Sequence, residues 1–340
     1  MIVLQLPSVK QIKIERPSKC KYCKGETFQR WGQVKKKIKD TEIRKVIVYR
    51  YQCTSCRRTF RHYPQGVCQA QQSERMKKLA VICWSFGLSY RGLALILSAF
   101  GVCLSRMSGW RDVQEEGDAI RNRAKWNPAR IVGVDGAWLN GEGIMVAVDL
   151  GNGEPLSIGK IDEKDMSAVM GWLRALKQKH GIGAIVTDDL RMYRGLTEKM
   201  ELGHQVCQFH LRRWVGRAIR KLENKLSEEW LWMLERIKMI VEELPADGGK
   251  QLLDLFTQLP GHIKQGQKRT NVDKLRHLLI RLSENWERYT TFFRDPSIPW
   301  TNNRTEQAIG RMKMRARTTR GYKTQSGMLN GLLVSSTRLN

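Results

Sequence analysis

The sequence predicts an α/β protein. Its central domain is a mixed sheet of element order β-β-β-α-β-α-β-α, interrupted by an all-helical insertion and preceded by a small cysteine-bearing domain and a helical one. Three observations predict this. Apolar residues alternate through three consecutive segments between Arg130 and Ile161, then change to helical spacing. Two Cys-x-x-Cys pairs near the N-terminus are separated by 29 residues. The charge is one-sided, with 60 Lys and Arg against 33 Asp and Glu, a net +27.

The 340 residues allow two or three domains, and 41% hydrophobic content points to a folded chain rather than a disordered one. A net charge of +27 calls for a polyanionic partner, and nucleic acid is the obvious one. A membrane-bound reading needs about 20 apolar residues in a row. The longest run, Leu79–Leu88, has half that and reads as a buried helix. The N-terminal "MIVLQLPSVKQIK" has no charged region ahead of its apolar residues and no small-residue cleavage site. We therefore expect a cytoplasmic, nucleoid-associated protein with no membrane partner, whose eight cysteines serve as metal ligands and buried thiols rather than disulfides.

Taken in order, residues 1–65 read as a zinc ribbon. They contain Cys20 and Cys23 in "CKYC" and Cys53 and Cys56 in "CTSC". Four thiolates in two such knuckles suit tetrahedral Zn²⁺, and "RKVIVYRYQC" between them alternates as a strand. So small a domain needs its metal to fold, which makes the zinc structural. Residues 1–62 also hold 17 Lys and Arg against 4 Asp and Glu, so this end should meet phosphate. Residues 66–125 have helical spacing: Ser89 can cap a helix running to Phe100, Gly101 turns, and Ser105 can cap a helix carrying Arg106, Trp110 and Arg111. Two short helices joined at a Gly behind a leading helix suggest a helix-turn-helix. A three-helix spacer is the competing reading.

After a linker, "AKWNPAR", residues 126–211 form the first part of the core. "RIVGVDGAWL", "GIMVAVDL" and "EPLSIGKI" read as a meander of three strands, followed by a helix ending at Gly181. The strand "IGAIVTDD", the helix "LRMYRGLTEKME" and the strand "HQVCQFH" come next. This is the element order of an RNase H-like core. Residues 212–298 are helical in pattern, and 299–340 supply a last core helix and a tail.

In that order the first and fourth strands lie side by side, so Asp135 and Asp188 meet at one sheet edge. Glu306, from a helix packed on the sheet, can complete an all-oxygen site for Mg²⁺ (or Mn²⁺). Paired Mg²⁺ ions activate an attacking hydroxyl and stabilise a leaving oxygen in phosphodiester chemistry. Glu306 is the one acid among seven basic residues in Thr301–Lys323, as a site lying under a DNA backbone requires. Each acid has a plainer reading. Asp135 can be a turn residue, Asp188 a helix cap with Asp189 facing the metal, and Glu306 the far end of a capping box on Asn303.

With those residues in view, the chain resembles a DDE transposase of a prokaryotic insertion sequence along nearly its whole length. The resemblance assigns Asp135 in "GVDGAW", Asp188 in "VTDD" and Glu306 in "NNRTEQAIGRMK" as the catalytic acids. It also places Lys313 at the family's usual basic position. The 117 residues between Asp188 and Glu306 resemble the branch with an all-α insertion, to which the Mutator-like transposases belong, and Cys207 and His210 in "CQFH" resemble its Cys-x-x-His signature. It implies binding of the element's terminal inverted repeats, cleavage at its ends and joining of the freed 3′-hydroxyls to target DNA. Arg106 and Arg111 would hold the repeat, and Trp300, Arg304 and Lys313 would line the strand at the metals. A homodimer or larger assembly on double-stranded DNA is implied too, with Trp230 and Trp232 of the insertion as candidate contacts. Two other classes stay open: a transposase-derived DNA-binding regulator without catalysis, and an RNase H-like DNA nuclease or resolvase.

Overall fold

A computed structural model describes residues 6–10, 16–125, 128–139, 141–260, 270–319 and 321–337. Residues 1–5 and 11–15 of the apolar N-terminus, Trp126 and Asn127 of the linker, and Arg320 of the basic tail lie outside that set. The described chain divides into two units, residues 1–122 with 311–340, and residues 123–310. The expected boundary at 125/126 lies three residues from the first division, and the segment 299–340 is shared between the units.

The first unit opens with an antiparallel sheet of β1 (Phe28–Lys37), β2 (Lys45–Cys53) and β3 (Thr59–His62), in the order β1-β2-β3. Alternation in β2 turns Val46 and Val48 inward and its charged residues out. The core beside the cysteines is small: Cys20, Tyr51, Cys53 and Phe60, with Phe28 edge-on to Phe60 at 5.5 Å. Asp40, fully buried after β1, accepts from Arg75 Nε at 2.7 Å and from the backbone of Glu42 and Ile43, which ties the sheet to the next helix.

That helix is α1 (Glu74–Ser85), followed by α2 (Tyr90–Ala99) and α3 (Arg106–Ala124). The expected caps form: Ser89 Oγ accepts from the Gly92 N–H and Ser105 Oγ from the Ser108 N–H, each at 3.0 Å. Gly101 turns the chain between them at φ +73°, a conformation open to glycine. The C-terminal α13 (Gln325–Ser336) packs on α3. There a Cβ on Gly117 would fall 2.6 Å from that of Asn330, so glycine permits the close approach.

The second unit is built on β4 (Ile131–Leu139), β5 (Glu142–Asp149), β6 (Pro155–Lys160), α4 (Met166–His180), β7 (Ala184–Thr187), α5 (Arg191–Lys199) and β8 (Gly203–Val206). This is the order read from the sequence. The sheet runs β6-β5-β4-β7-β8, mixed as expected: β4 pairs antiparallel with β5 and parallel with β7. Both faces of the central strands are covered, so they read as nearly continuous apolar runs.

The helical insertion comprises α6 (Gln208–Glu223), α7 (Glu228–Glu243), α8 (Gly248–Thr257), α9 (Asn271–Glu284) and the short α10 (Trp286–Tyr289) and α11 (Thr291–Arg294). It has its own core, from Leu211 through Ile237 and Leu279 to Tyr289. Trp230 packs against that core, whereas Trp232 is half exposed. The helix α12 (Asn303–Thr318) follows.

Candidate active site

Register places the two aspartates. Gly133 of β4 pairs with Val186 of β7 in parallel, so two residues further on Asp135 and Asp188 emerge at the same edge of the sheet. Burial, and after it the Asp188 and Glu163 carboxylates, push the Asp135 carboxyl up to about 7. Burial and then Glu163 raise Asp188 to about 6, against the pull of the Leu190 N–H and His210. Carboxylates crowded together in a buried place, each resisting ionisation, mark a candidate functional site.

The two acids at 188–189 differ in their partners. Asp189 is bonded to Arg281 at 2.5 Å and accepts from the Tyr289 hydroxyl at 3.3 Å, so its carboxylate is committed to the insertion. Asp188 accepts a long backbone bond from Leu190 at 3.3 Å, and its carboxylate acts on Asp135.

The start of α12 is docked onto the sheet. Asn302 Nδ2 donates to the Val134 carbonyl at 3.1 Å, and the Asn302 carbonyl accepts from the N–H groups of Thr305 and Glu306, opening the helix. This docking needs Gly133. A Cβ there would stand 2.1 Å from Thr305 Oγ1 and 2.2 Å from Asn302 Oδ1, so strand and helix touch backbone to side chain. Arg304 adds a bond from its guanidinium to the Leu150 carbonyl, a structural use of one of its donors. We expect Gly133→Ala to push α12 off the sheet. That should destabilise the chain by about 1–3 kcal/mol, as overpacking does, and cut any metal-dependent cleavage by roughly 10²-fold. Thermal melting and single-turnover cleavage measure the two effects. Unchanged values for both would show that the contact does not position α12.

Glu306 lies in the first turn of α12, and the helix opens at Asn302 rather than Asn303. Its Oε1 is a buried atom without a hydrogen-bond partner, 3.7 Å from His210 Nδ1, which is equally unpartnered. The capping box does not form; the carboxylate turns to the cluster. Cys207, at the N-cap of α6, receives the Asn302 N–H at 3.4 Å and is fully buried. The neighbouring Cys207 sulfur first of all, with Glu306 and Asp188 after it, raises the His210 imidazole above its usual range. The ligand atoms of Cys207, His210 and Glu306 all lie within 4.8 Å of one another. The three acids do not form so tight a group; His210 stands electrostatically between Glu306 and the aspartates.

A fourth carboxylate escaped the sequence reading. Glu163, in the turn between β6 and α4, faces both aspartates, and its Oε1 accepts from the Tyr193 hydroxyl at 2.7 Å. A Cβ on Gly136 would come within 2.6 Å of its other oxygen, so the carboxylate lies on the strand that carries Asp135. Nothing in "IDEKDM" sets this acid apart from a solvated turn.

Of the other expected residues, Trp300 is half exposed, with Arg212 stacked 6.0 Å from its ring centre. Lys313 is exposed on α12, beyond Gly310 and so in the first unit. Arg106 and Arg111 are exposed on α3, flanking Trp110. The four ribbon cysteines also come together, with Sγ atoms of Cys20 and Cys56 3.8 Å apart and those of Cys23 and Cys53 3.6 Å apart. Both knuckles turn alike: Lys24 and Arg57 take positive φ and return an N–H to the Cys20 and Cys53 carbonyls. The backbone N–H of Cys56 leads in drawing the Cys53 thiol down, while the neighbouring thiols hold Cys23 up. The set is compatible with a structural zinc.

Sheet order and clustered carboxylates thus define an α/β protein with a mixed sheet, a candidate site at Asp135 and Asp188, and a helical insertion. Residues 171–330 are similar to the IS66 family of transposases, a span that includes Asp188, Cys207, His210 and Glu306 but not Asp135. No curated protein matches the chain. Among solved structures, the catalytic core domain of BIV integrase matches 44% of this chain and 95% of that one, at 14% identity and a TM-score of 0.22. Among the described residues no helix is long and apolar enough to cross a membrane.

Proposed function

We propose that the chain is a DDE-type DNA transposase, which binds the ends of its own element and cleaves and joins DNA with Mg²⁺ held by Asp135, Asp188 and Glu306. The observation that carries this reading is the meeting of Asp135 and Asp188 at one sheet edge, both acids weakened by burial and by neighbouring carboxylates, with α12 docked beside them through Asn302 and Gly133. The similarity of residues 171–330 to the IS66 transposases supports it. The carboxylate chemistry fits Mg²⁺, a cation that prefers oxygen ligands; when bound it stabilises the attacking and leaving oxygens of phosphodiester cleavage.

The residues of the chain divide the remaining work. The strand that carries Asp135 is held by ladder bonds to β5 and β7, one on either side. Glu163, anchored by Tyr193, adds a fourth carboxylate at the edge. His210, with its raised basicity, can hold a proton beside Glu306. In the first unit the exposed Trp31 stands among Arg30, Lys35 and Lys37 on β1, and Trp110 between Arg106 and Arg111 on α3. Aromatic and cationic side chains interleaved in this way suit a DNA backbone, read here by a zinc ribbon and a helix-turn-helix. Handling two ends together calls for a dimer or larger assembly on DNA.

The test is nicking of a labelled duplex carrying the element's end, in Mg²⁺, with Glu306→Gln beside the parent chain. Glutamine keeps the size and cannot serve as an anionic ligand. Loss of nicking with duplex binding retained is the expected result. Full nicking by the variant would remove Glu306 from the metal site and this mechanism with it.

A further inference from the structure

We propose that Cys207, His210 and Glu306 form a second metal site, selective for Zn²⁺ over Mg²⁺, and that zinc bound there withdraws Glu306 from the two aspartates. The inhibitory half rests on the function proposed above; the binding half does not.

The geometry is that of a three-ligand zinc site. A tetrahedral ion with Zn–S about 2.3 Å and Zn–N about 2.0–2.1 Å sets its ligand atoms roughly 3.3–3.8 Å apart. His210 Nδ1 and Glu306 Oε1 already stand 3.7 Å apart, and the sulfur of Cys207 falls within 4.8 Å of the other two ligand atoms. The nitrogen and the oxygen are both buried atoms lacking a hydrogen-bond partner, an arrangement that costs free energy unless a ligand serves them.

The donors decide which ion. Thiolate and imidazole favour zinc, whereas Mg²⁺ takes oxygen ligands and holds its waters. Cys207 and His210 lie three residues apart across the first turn of α6, on one face of the helix. Cys207, fully buried and receiving the Asn302 N–H, forms the floor. The side chains of His210 and Glu306 are 30% and 33% exposed, so the buried donor atoms lie just beneath the surface. The same burial argues against Cys207 as a nucleophile, since a substrate cannot reach its sulfur.

Glu306 cannot serve both ions in full. Zinc in this site therefore competes with the Mg²⁺-dependent reaction without touching Asp135 or Asp188. The experiment counts zinc by native mass spectrometry on the full chain, after equilibration with micromolar Zn²⁺ and dialysis. Cleavage in saturating Mg²⁺ is measured in parallel, with and without Zn²⁺.

Two zinc ions are expected in the parent chain. One, the ribbon's, is expected in Cys207→Ala and in His210→Ala, and one, the second site's, in Cys53→Ser. If Cys207→Ala fails to fold, His210→Ala carries the comparison. Added zinc should slow parent cleavage at least tenfold, and should change the rate of each Cys207 or His210 variant, against its own rate with only the ribbon zinc bound, by less than twofold. A single zinc in the parent chain that is lost in Cys53→Ser overturns the site. Two ions with no zinc effect on cleavage overturn the inhibitory half. Should the parent chain cleave nothing in Mg²⁺, the proposed function fails while the zinc count still decides the site.

Discussion

Replacing Asp135 by Asn is expected to slow Mg²⁺-dependent strand cleavage by roughly 10³-fold, a loss of about 4 kcal/mol of transition-state stabilisation, while raising the thermal stability of the metal-free protein. The two effects share one cause. Burial and the Asp188 and Glu163 carboxylates lift the Asp135 carboxyl to about 7, and burial with Glu163 lifts Asp188 to about 6. A carboxyl whose pKa is higher folded than unfolded binds more protons in the folded state, so stability falls as pH rises, here between about 4 and about 7. Above that window the metal-free site holds unneutralised charge, and an uncharged amide in place of the Asp135 carboxylate removes part of it.

Melting in EDTA at pH 8 should therefore place Asp135→Asn above the parent chain, and Mg²⁺ should stabilise the parent more at pH 8 than at pH 5.5. Protons must leave these groups before a cation binds, so the Mg²⁺ needed for half-maximal cleavage should rise as pH falls from 8 to 6. A lower melting temperature for the variant in EDTA would make Asp135 a structural residue and overturn its assignment.

The second large effect is expected at the ribbon. Cys53→Ser, or removal of zinc by a chelator, should unfold residues 16–65 and abolish duplex binding. The apolar cluster beside the cysteines comprises Cys20, Tyr51, Cys53 and Phe60, two of them the proposed ligands, and a second small one gathers Ile38, Val46, Val48 and Val67, together too little to hold a three-stranded sheet. Structural zinc contributes on the order of 10 kcal/mol or more to folding of such small domains. The measurements are zinc content by emission spectroscopy, limited proteolysis of the N-terminal region, and fluorescence anisotropy of a labelled element end. A chelated chain that resists proteolysis and binds DNA as before would show that the four thiols need no metal.

Much of the fold is legible in the sequence because local chemistry carries it. Apolar alternation from Arg130 to Ile161 exposes the meander, and the switch to helical spacing at α4, ended by Gly181 at φ +70°, exposes the crossover. Ser89 and Ser105 announce helix starts because a hydroxyl ahead of a helical run satisfies an otherwise orphaned N–H. Other residues are illegible for equally physical reasons. Arg304 reads as a cation for DNA, and the bond from its guanidinium to the Leu150 carbonyl is a further contact that no spacing rule could tell. Trp230 and Trp232 sit two apart on one helix, and only packing separates the one against the core from the one in solvent.

Element order, the caps, the two cysteine knuckles and the positive charge follow from the amino acids alone, since each depends on residues close in the chain or on composition. Which carboxylates share a site is a matter of packing. The folded chain assigns Asp189 to Arg281 and leaves Asp188 at the edge, turns Glu306 from a capping box towards His210, and carries Glu163 from an ordinary turn to Gly136. Electrostatic crowding acts through space over a few ångströms, and Glu163 meets Asp135 across 27 intervening residues that only the fold brings back on themselves.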